Sequence, residues 1–171
     1  MKDHFEKGMT FSEFLSETRN SKHPWQDFYD RARIPEEILS RAESLPGQWR
    51  FLVLCEEWCG DGANILPYLA RAAEAVPNLD LRILPRDQNP DLMDAHLTNG
   101  TKSIPVVMVL DQAFREVGWW GSRPAPLQEL FIREIRPLPP DERYPKVRAW
   151  YARDRGRTTL REVFDLLESV A

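Results

Sequence analysis

An α/β fold, with helices on both faces of a central sheet, is predicted for this 171-residue chain by three features. Short apolar runs bounded by turn residues alternate with segments of helical period from residue 48 onward. Their order is β-α-β-α-β-β-α, which calls for helices on both sides of the sheet. Further helical segments precede and follow this alternation, and the length suits one domain with appendages.

The N-terminal 45 residues read as helical. Phe11, Phe14 and Leu15 recur at helical spacing after Thr10, and Glu13 stands where a capping box places its acid. Asn20-Ser21-Lys22-His23-Pro24 interrupts the pattern. A second helical piece carries Trp25, Phe28 and Tyr29. A third starts at Pro35, a favoured first-turn residue, and ends before Pro46-Gly47.

"QWRFLVLCE" (48–56) is then a buried strand. "GANILPYLARAAEAV" (62–76) is a helix with Ile65, Leu66, Leu69 and Val76 on one side and Pro67 within its first turns. "LDLRILPR" (79–86) is a second strand and "PDLMDAHL" (90–97) a short helix ended by Asn99-Gly100. "IPVVMVLD" (104–111) and "FREVGWW" (114–120) form a hairpin turning at Asp111-Gln112-Ala113. Helix resumes over 127–135, and a proline-rich link at 137–140 leads to "PKVRAWYAR" and a final amphipathic helix over 158–170. The expected organisation is an N-terminal helical extension (1–45), an α/β core (46–136) and a C-terminal helical extension (137–171).

A net charge of −4 with interspersed signs speaks against a nucleic-acid partner, which selects a basic face. No apolar run reaches the roughly 18–20 residues that span a bilayer. The charged start "MKDHFEKGMTFSEFL" has no apolar signal core, so a cytoplasmic location is expected. Two cysteines and three scattered histidines make neither a disulfide framework nor a zinc pattern, and no metal or cofactor is expected.

The chemistry concentrates in "LCEEWCGDGANILPYL" (54–69). Cys59 falls where a strand gives way to a helix. Unpaired N–H groups and the helix dipole favour an anion there, and such positions bring a thiol pKa from about 8.5 into roughly the 3.5–7.5 range. Glu56, Glu57 and Asp61 act in the opposite sense if they lie close. The plain alternative is that Cys59 is a small, partly buried residue. Cys55 alternates with Phe51 and Val53 along an apolar strand and reads as a core residue. Four extended residues cover about 13 Å, beyond the roughly 7 Å that a disulfide bridges, so a Cys55–Cys59 bond requires local rearrangement. Pro105, after Ser103-Ile104, opens a strand either as a cis proline or as a residue with no N–H to pair.

Taken together, "EWCGD", "LRILPRDQNPDLMDAHLTNGTKSIPVVMVLD" and "GWWGSRP" resemble the thioredoxin-like family, most closely a bacterial group whose site is Trp-Cys-Gly-Asp-Cys. The resemblance covers roughly residues 10–135. It implies a thioredoxin fold, a mixed sheet of about four to five strands flanked by helices. It makes Cys59 the attacking thiol, exposed at the helix start and flanked by Trp58, Gly60 and Asp61. Pro105 becomes the cis-proline opposite, and Ile104 offers its backbone to an extended peptide or glutathione-like substrate.

Two departures stand out. Gly62 occupies the place of the resolving cysteine, and Val53 that of the buried acid which assists it. The site implied is monothiol: Cys59 forms a mixed disulfide with a protein, peptide or glutathione thiol, and an external thiol resolves it. Lys102, Arg86 and Arg123 are the nearest cations for a glutathione carboxylate, or else ordinary surface charges. The alternative is a redox-inactive module that binds a protein or peptide at the cis-proline groove. In either reading the helical extensions cover a sheet edge or meet a partner.

Overall fold

The computed structural model describes residues 1–171. Four helices open the chain: α1 (Lys2–Lys7), α2 (Phe11–Glu17), α3 (Trp25–Arg31) and α4 (Glu36–Ser44). The capping box at α2 is complete, with Thr10 N–H donating to Glu13 Oε2 at 2.8 Å and Glu13 N–H donating to Thr10 Oγ1 at 3.2 Å. The alternating part follows as β1 (Trp49–Cys55), α5 (Gly60–Ala75), β2 (Leu79–Pro85), α6 (Pro90–Ala95), β3 (Val106–Leu110) and β4 (Glu116–Gly121). Three further helices close the chain: α7 (Ala125–Leu130), α8 (Pro140–Asp154) and α9 (Arg157–Val170).

The four strands form one mixed sheet in the order β2-β1-β3-β4. β1 runs parallel to β2 and antiparallel to β3, and β3 pairs antiparallel with β4. This is the α/β thioredoxin arrangement expected from the sequence, with four strands. Phe51 to Cys55 and Val106 to Leu110 are completely buried, as central strands covered on both faces must be.

Several boundaries differ from expectation by a residue or more, three of them for a clear local reason. α5 begins at Gly60 because Cys59 serves as its N-cap. β4 begins at Glu116 because the hairpin turn runs on to Arg115, with Phe114 in the left-handed region at φ 60°. The Asp111 carboxylate holds that turn by accepting the N–H groups of Ala113 and Arg115 at 2.8 and 3.0 Å. After α7 the helix widens by one residue per turn, with Arg136 N–H donating to Phe131 C=O at 2.7 Å.

Both extensions are built into the sheet. Met9 exchanges two backbone hydrogen bonds of 2.8 Å with Ile83, capping the exposed edge of β2. At the opposite edge α9 lies along β4, where Trp120 Nε1–H donates to Glu162 at 2.8 Å and Leu166 fills the space beside Gly118. Arg41 joins α4 to α9 through Asp165 and Glu168 at 2.6 and 2.7 Å. A single hydrophobic cluster includes Phe11 and Trp25 from the first extension, Phe51 and Val107 from the sheet, and Leu160 and Phe164 from the last helix.

Candidate active site

β1 ends at Cys55, and the chain turns back at once. Cys59 N–H donates to the Glu56 carbonyl at 3.0 Å, so residues 56–59 form a tight turn that delivers Cys59 to the start of α5. The Cys59 sulfur accepts the Gly62 N–H at 3.2 Å, as an N-cap side chain does. Its thiol donates to the Ile104 carbonyl at 3.5 Å. The Ile104–Pro105 peptide is cis, and both residues are buried at the start of β3. Cys59, Ile104 and Pro105 therefore meet although 45 residues separate the two segments.

Cys59 is only 6% exposed, against the expectation of an exposed thiol. The C-terminal extension packs against the same helix start. The Tyr144 ring of α8 lies so close to Gly60 that a Cβ there would come within 2.4 Å of it. Tyr151, two turns further along the same helix, donates its hydroxyl to Asp61 at 2.7 Å. Trp58 projects outward at 46% exposure, with the Arg86 guanidinium 5.0 Å from its ring.

Two of the acids around Cys59, Asp61 and Glu56, are engaged with other groups. Arg123 donates to both Asp61 oxygens, at 3.0 and 2.9 Å, in a bidentate pair that is largely buried. Glu56 accepts the backbone N–H of Asp87 at 3.0 Å. The cations considered for a glutathione carboxylate also have acidic partners. Arg123 pairs with Asp61, Lys102 with Asp94 at 2.7 Å and Arg86 with Asp87 at 2.8 Å.

The N-terminal extension grips the same turn from the other side. The Glu57 carbonyl accepts from Trp25 Nε1–H and from Ser21 Oγ–H, each at 2.9 Å. The Trp58 carbonyl lies 3.1 Å from His23 Nε2, which therefore carries the proton as donor. Burial pushes the pKa of His23 down, keeping the ring neutral near pH 7. Ser21, His23, Tyr144 and Tyr151 form part of the site's frame, and no local motif marks them. Their hydrogen-bond or packing partners lie far away in sequence.

Cys55 is completely buried, as a core residue would be. The extended-chain separation from Cys59 does not apply, because the intervening residues form a turn. Burial, with the Cys59 thiol beside it, pushes the Cys55 thiol well above its ordinary pKa.

A thioredoxin family model matches residues 8–137, which span the turn, α5 and the β3–β4 hairpin. The chain belongs to the thioredoxin family. Its thioredoxin fold also aligns with a crystal structure of a protein of unknown function from Pseudomonas aeruginosa. That protein is 22% identical, with a TM-score of 0.74 over 99% of this chain and 98% of the other. An HIV epitope scaffold of the 4E10 series aligns similarly, at 21% identity and a TM-score of 0.75 over 99% and 98% of the two chains. Both alignments extend through the terminal helices. No curated protein matches the chain. No helix is long and apolar enough to cross a membrane.

Proposed function

We propose that the chain is a thiol–disulfide exchange protein in which Cys59 attacks a disulfide of a protein, a peptide or glutathione. The observation that carries this reading is the setting of the Cys59 sulfur. It caps a 16-residue helix, accepts the Gly62 N–H at 3.2 Å and faces the carbonyl before a cis-proline. A backbone donor and a helix N-terminus both stabilise negative charge on sulfur, and the thiolate is the attacking form. Pairing of Asp61 with Arg123 offsets one of the opposing charges. The attack forms a Cys59 mixed disulfide and expels one thiolate. Releasing the second half needs another thiol, and Cys-Gly-Asp-Gly contains none. A bacterial site of the Trp-Cys-Gly-Asp-Cys type is the pattern from which this one departs at Gly62.

The experiment is incubation of the reduced full-length protein with oxidised glutathione, following released glutathione. Prompt release that disappears in Cys59→Ser is the expected result. If the folded protein releases none, Cys59 is not an exchange thiol.

A second reading rests on the cover over Cys59. A buried thiol beneath Tyr144 also suits a module that binds an extended peptide beside Pro105 without redox chemistry, and absence of glutathione release favours it.

A further inference from the structure

Position 62 shows what became of the second thiol. A Cβ built on Gly62 would lie 2.4 Å from the Cys55 sulfur and 3.4 Å from Cys59 Cβ. The first distance is far inside contact, so the Cys55 sulfur occupies the space that a side chain at position 62 would need. The second places that same point next to Cys59. One sulfur-sized volume therefore sits beside the attacking thiol, and it is filled from the end of β1.

We propose that Cys55 is the resolving thiol of this site, closing a Cys55–Cys59 disulfide after Cys59 has captured a substrate. The inference rests on the exchange role of Cys59. Three further observations support it. Both cysteines are free, so two electrons are available within the chain. The 56–59 turn folds Cys59 back toward the end of β1. The Cys55 sulfur lies within hydrogen-bonding reach of the Cys59 thiol, and its other contact is a long one of 3.6 Å from its thiol to the Glu56 carbonyl.

The steps balance. Cys59 thiolate attacks a disulfide R–S–S–R′, forming Cys59–S–S–R and expelling R′–S⁻, which takes up the proton Cys59 lost. Cys55 sulfur then attacks the Cys59 sulfur, the bond to R breaks, and R–S⁻ leaves with the Cys55 proton. The substrate disulfide is reduced to two thiols, and the protein dithiol is oxidised to a disulfide. A low-molecular-weight thiol or a protein dithiol returns it to the starting state. Burial holds Cys55 protonated and out of reach of solvent oxidants. It reacts only after Cys59 has brought a disulfide to it.

The test uses the full-length protein and oxidised glutathione, with intact mass and peptide mapping. Glu56 and Glu57 separate the two cysteines, so cleavage after glutamate leaves the fragments joined only if the internal disulfide exists. The expected wild-type product has lost two hydrogens, carries no glutathionyl group and yields the joined fragments. Two glutathiones are released per chain. In Cys55→Ser the Cys59–glutathione adduct accumulates and persists at least about tenfold longer. If instead the wild-type protein releases one glutathione and retains the adduct, Cys55 is not the resolving thiol, while exchange at Cys59 stands. If nothing is released, the Cys59 reading falls and this inference with it. The wild-type measurement decides the matter even where Cys55→Ser folds poorly.

Discussion

The Tyr151 hydroxyl donates to the Asp61 carboxylate at 2.7 Å across 90 residues of sequence, fastening the C-terminal helix α8 to the first turn of α5. Asp61 is two residues from Cys59, so this contact ties α8 to the segment that carries the thiol. Burial and then the charge of Asp61 push the Tyr151 phenol well above its ordinary pKa, so it remains a donor at any physiological pH.

Tyr151→Phe removes that single donor while keeping the ring. A hydrogen bond to a charged group contributes about 1.5–3 kcal/mol, and the urea midpoint falls accordingly. Alkylation of Cys59 by iodoacetamide accelerates in the native protein as α8 loosens. A loss of stability with an unchanged labelling rate would show that α8 does not gate the thiol.

Arg123→Ala leaves Asp61 with a largely buried and uncompensated charge, a change that costs about 3–5 kcal/mol. Adding Asp61→Asn removes the stranded charge. The double variant is therefore more stable than the sum of the two single losses predicts, as denaturant titration of the four proteins would reveal. Strict additivity would mean the two side chains do not act as a pair.

Gly62→Ala forces its new methyl against the Cys55 sulfur and destabilises by about 1–3 kcal/mol. Cys55→Ala empties that space. The combination Cys55→Ala with Gly62→Ala recovers much of the loss, giving a coupling well outside the few tenths of a kcal/mol seen for independent sites. Thermal unfolding of the set measures it.

The pKa of His23 is held down, first by burial and also by Lys22 and Arg148, against the opposing Trp58 carbonyl and Glu57. The unfolded chain therefore binds a proton on this residue more readily than the folded one. Its contribution is present above the unfolded value of about 6.5 and is lost as pH falls through that value toward the folded one. Denaturant midpoints decline over this window in the wild type. In His23→Gln, which keeps a donor for the Trp58 carbonyl, the decline is shallower. Equal slopes would remove His23 from the account.

Much of the fold was legible because it is written in local signals: the apolar runs of β1 and β3, the Thr10–Glu13 box, and Asp111 at the hairpin. The meeting of Cys59 with the Ile104–Pro105 segment followed from family motifs of known spacing. The cover over Cys59 had no such signal. Tyr144 and Tyr151 look like ordinary helix residues until a tertiary contact sets them on Gly60 and Asp61. Cys55 was legible as buried, yet its nearness to position 62 depends on a turn whose direction the letters Glu56-Glu57-Trp58 do not reveal. Like Ser21 and His23, these residues act through partners in other elements, and such pairings emerge only when the chain closes on itself.

The order in which a ribosome supplies these parts adds a consequence in time. Cys59 and its turn are synthesised more than eighty residues before Tyr144 and Tyr151. At about 5–20 residues per second, the thiol spends several seconds without the helix that will cover it. A growing chain is thus more open to small disulfides at this cysteine than the folded protein, and the arrival of Pro140–Asp154 brings that interval to an end.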